Sequence, residues 1–295
     1  MLAELLSDIR LAAEAYGYAS PPRPVLGTLR TGMVQALTAS FPGLTTDVIA
    51  WERELFTLVL LLSKVVAQAM VAGEAADGWI PYSLDRDEVA TKLKENDAPV
   101  RHMWELVAAF LATGRPTAAP PYLVEQKTLV ILEALIQTAD LFLMGHEYAH
   151  AMARHATLQD ATFDGYLVKG PSDWEKEFDA DLVAIQLATY AGNLRGLDFA
   201  LSCTGSVVML GGINVLQVAK ATLNGGIPQI PTAGSHPPAL ARLGNIRRGM
   251  MQAEDGEKAV GLAEAISYVY EHLWSSIGTR LVDAHARGLR SEAAI

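Results

Sequence analysis

Apolar residues recur at helical spacing over residues 2–15, 45–72 and 100–113, and few runs show the two-residue alternation of a half-buried strand. The first region, 1–120, is therefore expected to be a helical scaffold packed on or covering a cleft. Punctuation falls at Pro21, Pro22 and Pro24, then over 114–121 with Pro116, Pro120 and Pro121, then over 225–234. The second region, 121–295, opens with a helix predicted from about residue 122 to 155. Residues 162–170 place Phe163, Tyr166, Leu167 and Val168 around the Asp164-Gly165 turn pair, which predicts a short hairpin. A further helix is expected to start near Ser172, with Glu175 three residues on in the capping-box pattern. The fold class expected is mainly α, with at most a small β hairpin.

A hydrophobic content of 51% over 295 residues is enough for a large core. Only 19% of residues are charged and mean hydropathy is +0.20, so membrane spans must be looked for. The run 55–72 is interrupted by Lys64 and Gln68, and 129–144 carries Glu133, Gln137 and Asp140, so both read as buried helices. The run 199–218 has no charge, but Ser202, Thr204, Gly205, Ser206, Gly211, Gly212, Asn214 and Gln217 make it weakly hydrophobic. It is expected to be a central core helix, broken at Gly211-Gly212, and not a membrane span. Glu4 and Asp8 stand where a secretory signal has its basic region, so the expected location is the cytoplasm. The single cysteine, Cys203, excludes an intrachain disulfide and reads as a small core residue. A net charge of −10 argues against a nucleic-acid partner, because phosphate contacts draw on Lys and Arg.

His146-Glu147-Tyr148-Ala149-His150 is an H-E-x-x-H sequence. On a helix its histidines lie about 40° apart on one face, so both imidazoles reach one ion. With 7 histidines in the chain, roughly 0.01 accidental matches are expected, so chance is a poor explanation. Zinc accepts imidazole nitrogen and keeps a position open for water, beside which Glu147 can act as general base. A third histidine ligand of metzincin type would need Gly at 153 and His at 156, and both positions are Ala. His155, nine residues after His146, falls on the opposite helix face. Downstream, Glu177-Phe178-Asp179-Ala180-Asp181 offers Glu177 as a carboxylate ligand and Asp181, four residues on, as an acceptor for a ligand imidazole. Glu175 and Asp179 compete for the ligand role, but each lies about 160° from Glu177 around the helix.

HEYAH, then EFDAD, then Ser235-His236-Pro237-Pro238-Ala239-Leu240-Ala241-Arg242 resembles the gluzincin family that includes the CAAX prenyl protease and the heat-shock membrane metalloprotease. The resemblance covers about residues 140–245 and leaves the first 120 or so outside it. It implies a zincin-like catalytic core, Zn²⁺ held by His146, His150 and Glu177, Glu147 as catalytic base, Asp181 in support, and His236 and Arg242 near the substrate. The familiar members span membranes several times, and the soluble phage-exclusion and antirepressor-cleaving peptidases are a second analogy. Read by itself, His236 is either a donor to a developing oxyanion or an ordinary loop histidine before a proline turn. Arg242 is expected to anchor an acidic neighbour. His102, His272 and His285 have no motif around them. The function expected is hydrolysis of a protein or peptide substrate; the alternatives are a zinc-containing binding or regulatory protein, and a membrane-embedded protease using 199–218.

Overall fold

The structure is a computed structural model that describes residues 1–18, 23–39, 46–71, 82–83, 85–160, 173–226, 236–291 and 293, and at 154–160 and 173 the backbone alone. It is mainly helical. The helices are α1 (Leu2–Ala15), α2 (Arg53–Ala69), α3 (Arg86–Glu95), α4 (Ala98–Thr113), α5 (Leu129–Asp160), α6 (Asp173–Leu194), α7 (Phe199–Ser202), α8 (Thr204–Leu223), α9 (Ala239–Met250) and α10 (Gly256–Ala286). Local chemistry sets several ends. The Asp85 carboxylate accepts from the Asp87 backbone N–H at the start of α3, and α4 carries Pro99 in its first turn and stops at Gly114, whose φ of 72° is left-handed. The expected hairpin at 162–170 and the Ser172 cap lie outside the described residues.

Region 1–120 is not all helix. Three strands, β1 (Val25–Leu29), β2 (Ala36–Ala39) and β3 (Val48–Glu52), form a sheet in the order β1-β3-β2. β1 runs parallel to β3, with Val25 opposite Val48, and β2 runs antiparallel to it, with Ala36 opposite Trp51. This corrects both the purely helical scaffold and the limit of one small hairpin. The physical reason is that β3 is the central strand and is buried from Ile49 to Glu52, so Ile49, Ala50 and Trp51 are apolar in succession instead of alternating with polar residues. The run then passes directly into α2, and a helical rhythm starting at residue 45 absorbs it.

Two helical expectations also change. α5 starts at Leu129, not near 122, after a single 3₁₀ turn at Gln126–Thr128. Tyr122 stacks on His102 at 3.5 Å between ring centres and its carbonyl accepts from Lys64 Nζ, which holds that segment off the helix axis. In the 199–218 run the break comes at Cys203, between α7 and α8, and α8 continues through Gly211 and Gly212. These glycines serve packing: a Cβ on Gly211 would stand 2.6 Å from the Tyr270 ring, and one on Gly212 would stand 2.3 Å from Leu62.

One cluster of buried apolar side chains extends from Leu5 to Ala293 and draws on both regions. α5 and α8 pass through it, and Gly205 lets α8 approach so closely that a Cβ there would meet the Thr138 carbonyl oxygen at 2.1 Å. Two stretches, Gln126–Ala153 and Phe199–Leu223, are long and apolar enough to cross a membrane; 67% and 83% of their apolar windows are buried inside the protein. Cys203 is fully buried, and burial pushes its thiol up to about 12.

Candidate metal centre

The site lies between α5 and α6. His150 faces Glu177 while Gly145, earlier on α5, faces Ala184, later on α6, so the two helices run antiparallel. Their approach is close: a Cβ on Gly145 would stand 3.2 Å from the Ala184 Cα and carbonyl oxygen. That spacing brings the two halves of the sequence pattern together. His146 Nε2 is 3.1 Å from His150 Nε2 and 3.5 Å from Glu177 Oε2, and His150 Nε2 is 3.3 Å from Glu177 Oε1. Four ligands held tetrahedrally at about 2.0–2.1 Å from one ion sit about 3.3 Å from each other. The two imidazole nitrogens are separated by about this distance, each has one of the two Glu177 oxygens at 3.3–3.5 Å, and one ligand atom from each side chain lies within 4.8 Å of the others. Glu177 Oε2 is buried and has no short hydrogen bond, its nearest charged groups being His146 Nε2 at 3.5 Å and Arg242 NH1 at 3.7 Å, which leaves a lone pair available to an ion. Among the described residues this is the only group of three or more His, Cys, Asp or Glu side chains placed to hold a metal.

The competing carboxylates point away. Glu175 and Asp179 are exposed, while Glu177 is 7% exposed, as the rotation about the helix requires. Asp181 is fully buried one turn further along α6, and its Oδ1 is 3.0 Å from His146 Nδ1. An N–H donated there leaves the Nε2 lone pair of His146 directed at the cluster.

Arg242 closes the site from α9. Its Nε and NH2 donate to Asp181 Oδ2 and Oδ1 at 2.8 and 2.6 Å, and its NH1 lies 3.7 Å from Glu177 Oε2. Asn245 donates to the Phe178 carbonyl at 3.4 Å, and Gly249 admits Leu182. Residues 242, 245 and 249 share one helix face, so α9 is seated on α6 by that stripe. The segment ahead of α9 carries His236, whose Nε2 is 3.5 Å from Glu177 Oε1 and whose side chain is largely exposed.

Burial and charge act against each other throughout. Burial alone lowers the affinity of His146 for a proton, but its hydrogen bonds to Asp181 and Glu177 outweigh this and push it up to about 9. Burial raises the Glu177 and Asp181 carboxyls, yet the two imidazoles for Glu177, and Arg242 with His146 for Asp181, hold both well below the usual carboxylate range.

Glu147 is buried beside these groups and bonded to the sheet: Thr38 Oγ1, on β2, is 2.9 Å from its Oε2 and 2.8 Å from its carbonyl oxygen. The sequence reading missed Thr38, which belongs to no motif and lies 109 residues from its partner. His102 and His285 have ordinary surroundings. His102 bonds Gln68 Oε1 through Nδ1 at 2.9 Å, and His285 Nδ1 is 2.9 Å from the Leu223 carbonyl. A cavity of about 470 Å³ between α1 and α5, lined by Leu5, Leu132, Ile136, Asp140 and Arg195 among others, includes none of the metal-centre residues. No family model, no curated protein and no solved structure matches this chain.

Proposed function

We propose that the protein is a zinc-dependent peptidase of gluzincin type, acting on a protein or peptide in the cytoplasm. The observation that carries the reading is the convergence of His146, His150 and Glu177 at metal-ligand spacing with Glu147 beside them. Two imidazoles and one carboxylate make a donor set suited to zinc with a position left open. The order of HEYAH, EFDAD and HPPALAR, resembling that family, adds support.

Zinc, when bound, supplies Lewis acidity that polarises water and the substrate carbonyl. Glu147 takes the proton of the attacking water and passes it to the departing amine. Asp181 keeps the His146 ring in one tautomer, and Arg242 keeps Asp181 ionised and in place. His236, at the rim of the site, is positioned to donate to the oxygen that gains charge.

The test separates binding from chemistry. Metal analysis of purified protein is expected to give close to one zinc per chain, most of it lost in Glu177→Ala. Glu147→Gln is expected to keep its zinc and to lose casein hydrolysis by about 10² or more. Undiminished hydrolysis by Glu147→Gln refutes the mechanism. A zinc-loaded but inactive wild type favours the alternative of a zinc-containing binding or regulatory protein.

A further inference from the structure

Among the described residues β2 pairs with β3 alone, at the edge of the sheet, and it brings one hydroxyl to the candidate site. Thr38 Oγ1 lies between two acceptors of the same residue, the Glu147 carbonyl oxygen at 2.8 Å and Oε2 at 2.9 Å. A threonine hydroxyl has one hydrogen to give and two lone pairs to receive with. The hydrogen given to Oε2 fixes that oxygen toward β2 and leaves Oε1 for the reacting water. Thr38 is itself half-buried and Glu147 is 7% exposed, so little water competes for the contact.

We infer that Thr38 is a positioning residue for Glu147, holding its carboxylate in one orientation from the edge of the sheet. The inference rests on the reading of Glu147 as general base, and it gives the sheet a part in turnover. Thr38 bonds Glu147 through its hydroxyl, and it is through Glu147 that it acts.

The test compares T38V, which keeps the shape and removes the hydroxyl, with T38S, which keeps the hydroxyl. Zinc content, crystal structures of the zinc-loaded proteins and steady-state hydrolysis of fluorescein-labelled casein are measured for both. T38V is expected to retain its zinc, to show the Glu147 carboxylate displaced, and to lose about 10- to 100-fold in kcat with KM little changed. T38S is expected to restore both the position and the rate. Should T38V fail to fold, T38A carries the same comparison. A Glu147 carboxylate unmoved without the hydroxyl overturns the inference whatever the activity. So does a displaced carboxylate with unchanged kcat, or a T38S that behaves like T38V. If the zinc-loaded wild type hydrolyses no casein, the peptidase reading fails, and the crystal structures still decide whether Thr38 holds Glu147.

Discussion

Gly145 sets how closely α5 approaches α6 beside the metal ligands, and a side chain there should loosen the site more than the fold. A Cβ at this position would stand 3.2 Å from Ala184 Cα and carbonyl oxygen, and reaching the 3.4–4 Å of ordinary contact requires the helices to part by 0.2 to 0.8 Å. Gly145 directly precedes His146, and Ala184 lies two turns beyond Glu177, so the parting is transmitted to ligands now 3.5 Å apart. Metal sites tolerate about 0.2 Å in ligand distance. Gly145→Ala is therefore at the margin, and Gly145→Val, with two further carbons, is beyond it. Stability moves differently: in Gly145→Ala the better helix former contributes about 1 kcal/mol, against about 1–3 kcal/mol for overpacking, leaving a net loss of roughly 0–2 kcal/mol. Zinc affinity measured by competition with a chromophoric chelator is expected to fall about 10- to 100-fold in Gly145→Val. Urea unfolding in excess chelator reports the fold separately. A Gly145→Val protein that binds zinc as tightly as wild type refutes the claim that this helix contact sets the ligand spacing.

Two further outcomes follow from the electrostatics. Arg242→Met leaves Asp181, which is fully buried, without its bidentate partner, and the expected cost is about 3–5 kcal/mol by urea unfolding. Pairing it with Asp181→Leu removes both charges and should recover part of the loss; a single-variant cost below about 1 kcal/mol is incompatible with the pair as described. The second outcome concerns pH. In metal-free protein, His146 is raised from 6.5 to about 9, so its contribution is complete below 6.5 and is lost as pH climbs through 9. Glu177 and Asp181 are depressed from 4.5 and 3.8, so their contributions are present above those values and are lost as pH falls through the lower, folded-state ones. Stability in chelator should thus be greatest between about pH 4.5 and 6.5. Zinc must displace the His146 proton, so binding at pH 7 should release protons and tighten as pH rises. Calorimetric titration in buffers of different ionisation enthalpy checks this, and binding heats independent of buffer would contradict it.

What was legible in the sequence was periodic or spaced. α1 matches its apolar pattern residue for residue, α4 nearly so, and the HEYAH and EFDAD segments lie on the helices their spacing requires. The sheet was not legible, for different reasons in each strand. β1 contains Gly27, β2 has only four residues, all half-buried, and β3 is buried along most of its length. None of them shows clean alternation. The β-branched and aromatic run Val48, Ile49, Trp51 ahead of the charged Glu52-Arg53-Glu54 was a signal for β3. Thr38 offered none, because a lone threonine gains its meaning from a partner distant in the chain. Gly211-Gly212 read as a helix break and Gly205 as one residue lowering the hydrophobicity of its run, yet their neighbours make all of them contact points. Periodicity reports which face is buried; it does not report how near the next element comes.

The distances along the chain between the groups around Glu147 imply an order of assembly. The three candidate ligands lie between residues 146 and 177 on consecutive helices, Arg242 reaches Asp181 across 61 residues, and Thr38 reaches Glu147 across 109. Loop closure becomes costlier with length, by about 1 kcal/mol between the shortest and the longest of these. The helical hairpin that gathers the ligands is thus the least demanding part to form, and on a growing chain it emerges before the arginine that neutralises its buried aspartate. Until α9 docks, that aspartate must stay hydrated or remain protonated. On the proposed reading the hairpin in this interval collects its ion while still open to solvent, and its closing waits on an arginine 61 residues downstream of the aspartate.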